Sequence, residues 1–192
     1  MEALIHSIEH LLHFNNEQSK SLINNKEACK KPQYRPNYWN NLDPNTRDYS
    51  NCYSYAFDRY EVDADKKLQP GELSVGKFNS YNCDEILNKL KQDYNTYNII
   101  QVTKDYRTPC NHYKIALVID DSGDEQDYHF YRQDDDGYWS HKPGKEHVRR
   151  IDASGNMITD PALADRNYDT QNDNTNNETD NRYVFYYLTS DF

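Results

Sequence analysis

From residue 97 onward the apolar residues stop recurring at helical spacing and begin to alternate, and this change of period constrains the fold more than any other feature. Six short segments rich in β-branched and aromatic residues follow, separated by turn chemistry: 97–103 (YNIIQVT), 113–120 (YKIALVID), 128–133 (YHFYRQ), 138–142 (YWSHK), 147–151 (HVRRI) and 183–189 (YVFYYLT). The Asp136-Gly137 pair between the third and fourth is a strong hairpin signal, because an αL position is open to Gly without steric cost. Before residue 97 the pattern is helical. Leu4, Ile5, Ile8, Leu11 and Leu12 share one face of a helix over 2–14, and Ile86, Leu87, Leu90 and Tyr94 share one side of a helix over 84–94. Residues 52–60 (CYSYAFDRY) read as a shorter helix, with Ser50 or Asn51 available as its N-cap. Helices ahead of strands predict an α+β domain, with N-terminal helices packed on an antiparallel sheet.

A chain of 192 residues is long enough for one domain with a core. Only 35% of its residues are hydrophobic and its net charge is -10, so the core has to come from its 18 Tyr, 6 Phe and 2 Trp. We divide it into an N-terminal helix and extended arm (1–49), where Pro32, Pro36 and Pro44 interrupt any long periodicity, and a main domain (50–192) carrying a polar loop at 167–181. The excess of Asp and Glu over Lys and Arg argues against nucleic acid or an anionic membrane as partner. No segment approaches the ~20 apolar residues of a membrane span, and MEALIHSIEHLL lacks the charge layout of a secretory signal. These features predict an intracellular protein, although a mature secreted form would share them; a virion-associated location enters only with the resemblance given below. Cys29, Cys52, Cys83 and Cys110 form no CxxC pair, so reduced thiols are expected, with Cys83 and Cys110 structural.

Cys52 stands at the first turn of its helix, where the positive end of the helix dipole favours thiolate over thiol. A nucleophilic thiolate needs an imidazole to carry protons and a third polar group to hold the ring. Three His residues lie in the strand region: His112, His129 and His141. His129 and His141 flank the Asp136-Gly137 turn, which can place both on one face, whereas His112 opens its own strand and stands as the competing base. His6, His10 and His13 share the polar face of the first helix at metal-ligand spacing, but no carboxylate or Cys pattern completes a site, and they read as a solvated face. Asp134-Asp135-Asp136 lacks the spacing of a calcium loop and reads as a solvated turn. Neither a metal nor a cofactor is expected.

Asn51-Cys52-Tyr53-Ser54, Pro70-Gly71-Glu72-Leu73, and His129-Phe130-Tyr131-Arg132-Gln133 followed by Asp136-Gly137 and Trp139-Ser140-His141 resemble the NlpC-like branch of the papain-like superfamily. The stretches 127–133, 137–144 and 151–155 are also similar to uncharacterised proteins of bacteria and large viruses. The resemblance implies a papain-like fold and a cysteine hydrolase or acyl-transferase acting on a peptide or amide bond. In it Cys52 would be the nucleophile, His129 the base and His141 the orienting group. The alternative is a catalytically inactive papain-like module with a binding or virion-associated structural role. Tyr-rich stretches such as Asn37-Tyr38-Trp39-Asn40 suit protein or glycan contacts.

Overall fold

A computed structural model of the chain describes residues 30–61, 65–120, 126–166 and 183–190. The helix expected over 2–14, with its three His residues, and the polar loop at 167–181 lie outside the described residues. What is described is a mixed α+β arrangement: helices α1 (Pro36–Asn40), α2 (Pro44–Tyr49), α3 (Cys52–Ala56) and α4 (Cys83–Asp93), then strands β1 (Ile100–Val102), β2 (His112–Asp120), β3 (Asp127–Gln133), β4 (Trp139–Ser140) and β5 (Tyr183–Ser190). The strands form one antiparallel sheet in the order β1-β5-β2-β3-β4, so the last strand of the chain inserts between the first two.

Local chemistry accounts for the helix ends. The Pro36 and Pro44 rings, read from sequence as breakers, instead open α1 and α2, because the first turn of a helix needs no N–H from the residue that Pro replaces. The carboxylate of Asp43 caps α2 by accepting from the Thr46 N–H at 3.0 Å. Asn51 caps α3 by accepting from Ser54 N–H at 3.1 Å, and Asn82 caps α4 by accepting from Glu85 N–H at 2.8 Å. Helix α3 stops at Ala56, four residues before the limit expected from sequence. Asp58 takes φ 50°, its N–H reaches Tyr55 O at 3.1 Å and the Arg59 N–H reaches Ser54 O at 2.9 Å, which is a Schellman closure with Asp where Gly is usual.

The segment 147–151, expected as a fifth strand in chain order, makes isolated bridges in place of a ladder, His141 to Arg149 and Ile151 to Met157. The turn with Gly144 at φ 49° brings 149 back to 141, but Arg150 then gives its carbonyl to the Ile158 N–H at 2.8 Å rather than to a strand partner. The Asp136-Gly137 turn does form the β3–β4 hairpin, with Gly137 at φ 91° and Gln133 opposite Trp139.

Strand alternation divides the core in two. Tyr113, Ile115, Leu117, Ile119, Tyr128, Phe130 and Tyr187 pack under α3 and α4 against Cys52, Tyr53, Ala56, Ile86 and Leu90. Ala116, Val118, Tyr131, Trp139 and Tyr186 point the other way, covered by Ile158 and Ala164 from the irregular segment after β4. A third cluster of Trp39, Tyr55 and Val148 ties the N-terminal helices to the rest, with the Trp39 and Tyr55 rings edge-on at 4.9 Å.

Candidate functional site

Cys52 opens α3, and its side chain points into the helical face of the sheet, where it is only 6% exposed. The backbone N–H of Phe130 on β3 points at the sulfur, yet burial dominates and pushes the thiol up to about 12, with Asp127 adding to the rise. A five-residue helix has too small a dipole to offset that desolvation. Burial therefore works against the thiolate expected from the N-terminal position. Tyr128 and Phe130 of β3 lie on this side, and the Tyr128 hydroxyl donates to Gln69 Oε1 at 2.8 Å.

His129 is the next residue along β3 and so projects to the opposite face. It lies across from Val118 in the strand register, and Val118 belongs to the second core cluster. There it meets His141, with His129 Nε2 and His141 Nδ1 at 2.9 Å. The His141 Nε2 faces the Ile151 carbonyl at 3.4 Å, and a carbonyl can only accept, so that nitrogen carries the proton. The His141 Nδ1 then accepts from the His129 Nε2–H. Burial lowers His141 to about 4, against the pull of the Ile151 carbonyl, so the ring stays neutral at ordinary pH. Tyr131 stacks on it with centroids 4.9 Å apart. The structure thus joins two of the three residues expected to cooperate, His129 and His141, and sets Cys52 on the other side of the sheet. His112 sits at the start of β2, on the strand phase of Ala116 and Val118, with its Nδ1 2.8 Å from the Cys110 carbonyl.

A cleft of about 250 Å³ opens on the His129 side, lined by Val118, Asp127, His129, Tyr131, Gly144 and Arg166 among others. Cys52 does not line it. Among the described residues no group of three or more His, Cys, Asp or Glu is arranged to hold a metal ion.

No family model matches the sequence, and no solved structure matches it. Over 134 residues the chain is 37% identical to "Insoluble matrix shell protein 1" of Ruditapes philippinarum, a match that covers 70% of this chain and 81% of that protein. This chain belongs to the family of that shell matrix protein.

In this member of the shell matrix family, Cys110 is disulfide-bonded while Cys52 and Cys83 are free, which corrects the expectation that all thiols are reduced. Cys83 is half-buried with its sulfur 2.8 Å from the Tyr187 hydroxyl. Sequence reasoning also missed the most heavily bonded side chain of the helical face. Arg132 is fully buried, donating to the Tyr55 hydroxyl at 3.0 Å, Gln33 O at 3.2 Å, Asp58 Oδ1 at 3.2 Å and Asp134 Oδ1 at 3.3 Å, with its guanidinium 4.3 Å from the centre of the Tyr55 ring. The signal was present in the alternation, since Arg132 falls on the inward phase of Tyr128 and Phe130. Asp134, expected in a solvated turn, is buried with it and also meets Arg150 at 3.3 Å. Lys142 is another unforeseen buried charge. Its Nζ donates to the Gly144 carbonyl at 2.8 Å, and burial lowers it to about 8.

Proposed function

We propose that the chain is a non-catalytic structural module of an extracellular matrix, carrying the helix-and-sheet order of a papain-like domain without its thiol chemistry. The observation that carries this reading is the division of Cys52 and His129 between the two faces of the sheet. Hydrolysis of an amide through Cys52 requires a base within hydrogen-bond reach of the sulfur, or one water away from it. Here the nearest side chains of β3 on that face are Tyr128 and Phe130. The buried thiol at about 12 agrees with a core role. The papain-like assignment itself rests on α3 opening at Cys52 and lying against β3, the order of elements that the resemblance implies.

An extracellular, structural setting draws support from the relative, which its name places in a shell matrix. The disulfide at Cys110 suits an oxidising compartment. No helix among the described residues is long and apolar enough to cross a membrane. Within such a matrix the His129–His141 pair orders the second face rather than moving protons, because His141 is neutral and enclosed.

The reading is tested by treating the folded chain with a thiol-directed electrophile and locating the adducts by peptide mass spectrometry. Modification is expected at Cys83, with Cys52 unmodified until the chain is unfolded. Rapid modification of Cys52 in the folded chain, accompanied by turnover of an amide substrate that Cys52→Ala abolishes, would replace this reading with the cysteine hydrolase.

A further inference from the structure

The cleft beside His129 is built by strand parity. Asp120 lies directly across from Asp127, and Val118 from His129, in the β2–β3 register, so Val118, Asp120, Asp127, His129 and Tyr131 share one face and line one opening of about 250 Å³. Like charges opposite one another on a sheet repel. The sequence sharpens that repulsion, because the stretch from Asp120 to Asp127 (DDSGDEQD) holds five carboxylates and no basic residue. Arg166 lines the cleft as well, but its Nη1 is turned to the Pro161 carbonyl at 2.6 Å. Lys67 comes near Gly144, where a Cβ would meet its Nζ at 3.3 Å, and does not line the opening.

His129 adds a third acceptor to the two carboxylates. Its Nε2–H donates to His141 Nδ1 at 2.9 Å, and the fully buried His141 is held in turn by the Ile151 carbonyl. A neutral imidazole that donates through one nitrogen accepts through the other, so Nδ1 of His129 is an acceptor on a ring that lines the cleft. Tyr131, edge-on at 4.8 Å, packs against the same ring. A group placed by a buried chain of this kind is preorganised, and ordering it on binding costs little. Val118, Tyr131 and Pro143 give the opening apolar walls.

We propose that this cleft binds a primary ammonium on an alkyl stem, the chemistry of a lysine side chain presented by a partner protein. An ammonium carries three donors and no acceptor, which matches the Asp120 and Asp127 carboxylates and the His129 Nδ1, and its methylenes suit the apolar walls. A cation seated between Asp120 and Asp127 also relieves the repulsion across the strand pair. The opening is smaller than the ~300–1,000 Å³ of sites that enclose whole small molecules, and a single side chain fits it. A cation that reaches its acceptors through N–H bonds fits better than a bare metal ion, since among the described residues no group of three or more His, Cys, Asp or Glu is arranged to hold one. Cys52 takes no part, because it does not line the cleft.

The test is a two-dimensional amide NMR titration of the full chain with Nα-acetyl-lysine N-methylamide. Saturable shifts are expected at the backbone amides of Val118, Asp120, Asp127, His129 and Gly144. The norleucine counterpart, which keeps the stem and lacks the ammonium, should bind at least about tenfold more weakly, the size of one charge-assisted hydrogen bond. Asp127→Asn should weaken the lysine probe by about fivefold, whereas Asp84→Asn, an exposed carboxylate on α4, should leave it unchanged. The amide spectrum of each variant also reports that it folds. Shifts that do not saturate, shifts confined to other residues, equal binding of the norleucine probe, or equal weakening by Asp127→Asn and Asp84→Asn would each overturn the proposal. So would calcium chloride that produces the same shifts at lower concentration than the lysine probe, which would make the cleft a metal site.

Discussion

The two faces of the sheet solve the problem of a polar sequence in opposite ways. The helical face is closed by α3 and α4 with apolar and aromatic side chains, and at its end it buries charge in a bonded network around Arg132. The other face is closed by the irregular segment after β4, whose backbone is held by carboxylates. Asp152 accepts from the Asn156 N–H at 2.8 Å and from the Asp165 N–H at 3.2 Å, and Asp160 accepts from the Ala162 N–H at 3.0 Å. That cover leaves Ile151, Met157 and Leu163 exposed. An acidic chain can thus build one side of its core from aromatic packing and secure the other with Asp residues that stand in for a regular ladder. The consequence for function is positional. The thiol lies beneath the well-packed face and the imidazoles beneath the loop-covered one.

The contrast breaks first, and hardest, at Arg132. Removing the guanidinium in Arg132→Met takes from buried Asp134 one of its two guanidinium partners, Arg150 remaining at 3.3 Å, and strips the charged donor from the Tyr55, Gln33 and Asp58 oxygens; breaking a buried pair costs about 3–5 kcal/mol. Urea denaturation should show a loss of that size, and a loss below about 1 kcal/mol would mean that the network does not hold the helical face together. A second effect, on the loop-covered face, follows from His141. Its pKa falls from 6.5 unfolded to about 4 folded, so the unfolded chain binds more protons between those values. The contribution is complete above pH 6.5 and is lost as pH falls through 4, by about 3 kcal/mol at most. His141→Gln should flatten the stability profile between pH 6.5 and 4, and an unchanged slope would place the titrating group elsewhere.

Lys142 works in the same sense on the helical side, in a more alkaline window. Its folded pKa of about 8 lies below the ordinary 10.5, so a favourable contribution exists only above 10.5 and is lost as pH falls through 8. At pH 7 the buried ammonium is a net cost. Lys142→Met should raise the melting temperature at pH 7, by about 1–3 kcal/mol of stability, with the gain shrinking as pH approaches 10.5. A lower melting temperature at pH 7 would show that the Gly144 carbonyl outweighs desolvation. The smallest effect belongs to the exposed apolar residues over the second face. Leu163, 80% exposed, should tolerate Leu163→Ser within about 0.5 kcal/mol.

Much of the framework was legible in the sequence because it depends on local chemistry. The alternation from residue 97, the Asp136-Gly137 turn and the Asn caps each act within a few residues of where they are written. What was not legible depends on partners distant in the chain. The segment 147–151 has strand composition, but no open ladder position remains beside β4 once Trp139 bonds Ile158. Prolines at 36 and 44 read as breaks until the helices they open are seen. The site divides along the same line. That His129 and His141 meet follows from the hairpin, whereas the side of the sheet on which they meet follows from parity. Tyr128 and Phe130 face α3, so His129 cannot, and only the packing of the helices decides which phase of β3 is which.

The most direct test of that separation is the pH dependence of Cys52 alkylation in the folded chain, compared with His129→Ala. A thiol beneath the helical face with its pKa at about 12 predicts no inflection in the rate below pH 9, and the same profile in both proteins. An inflection below the ordinary thiol value of ~8.5 that moves upward in His129→Ala would contradict the account, since it would require the imidazole to reach a sulfur that the sheet places on its far side.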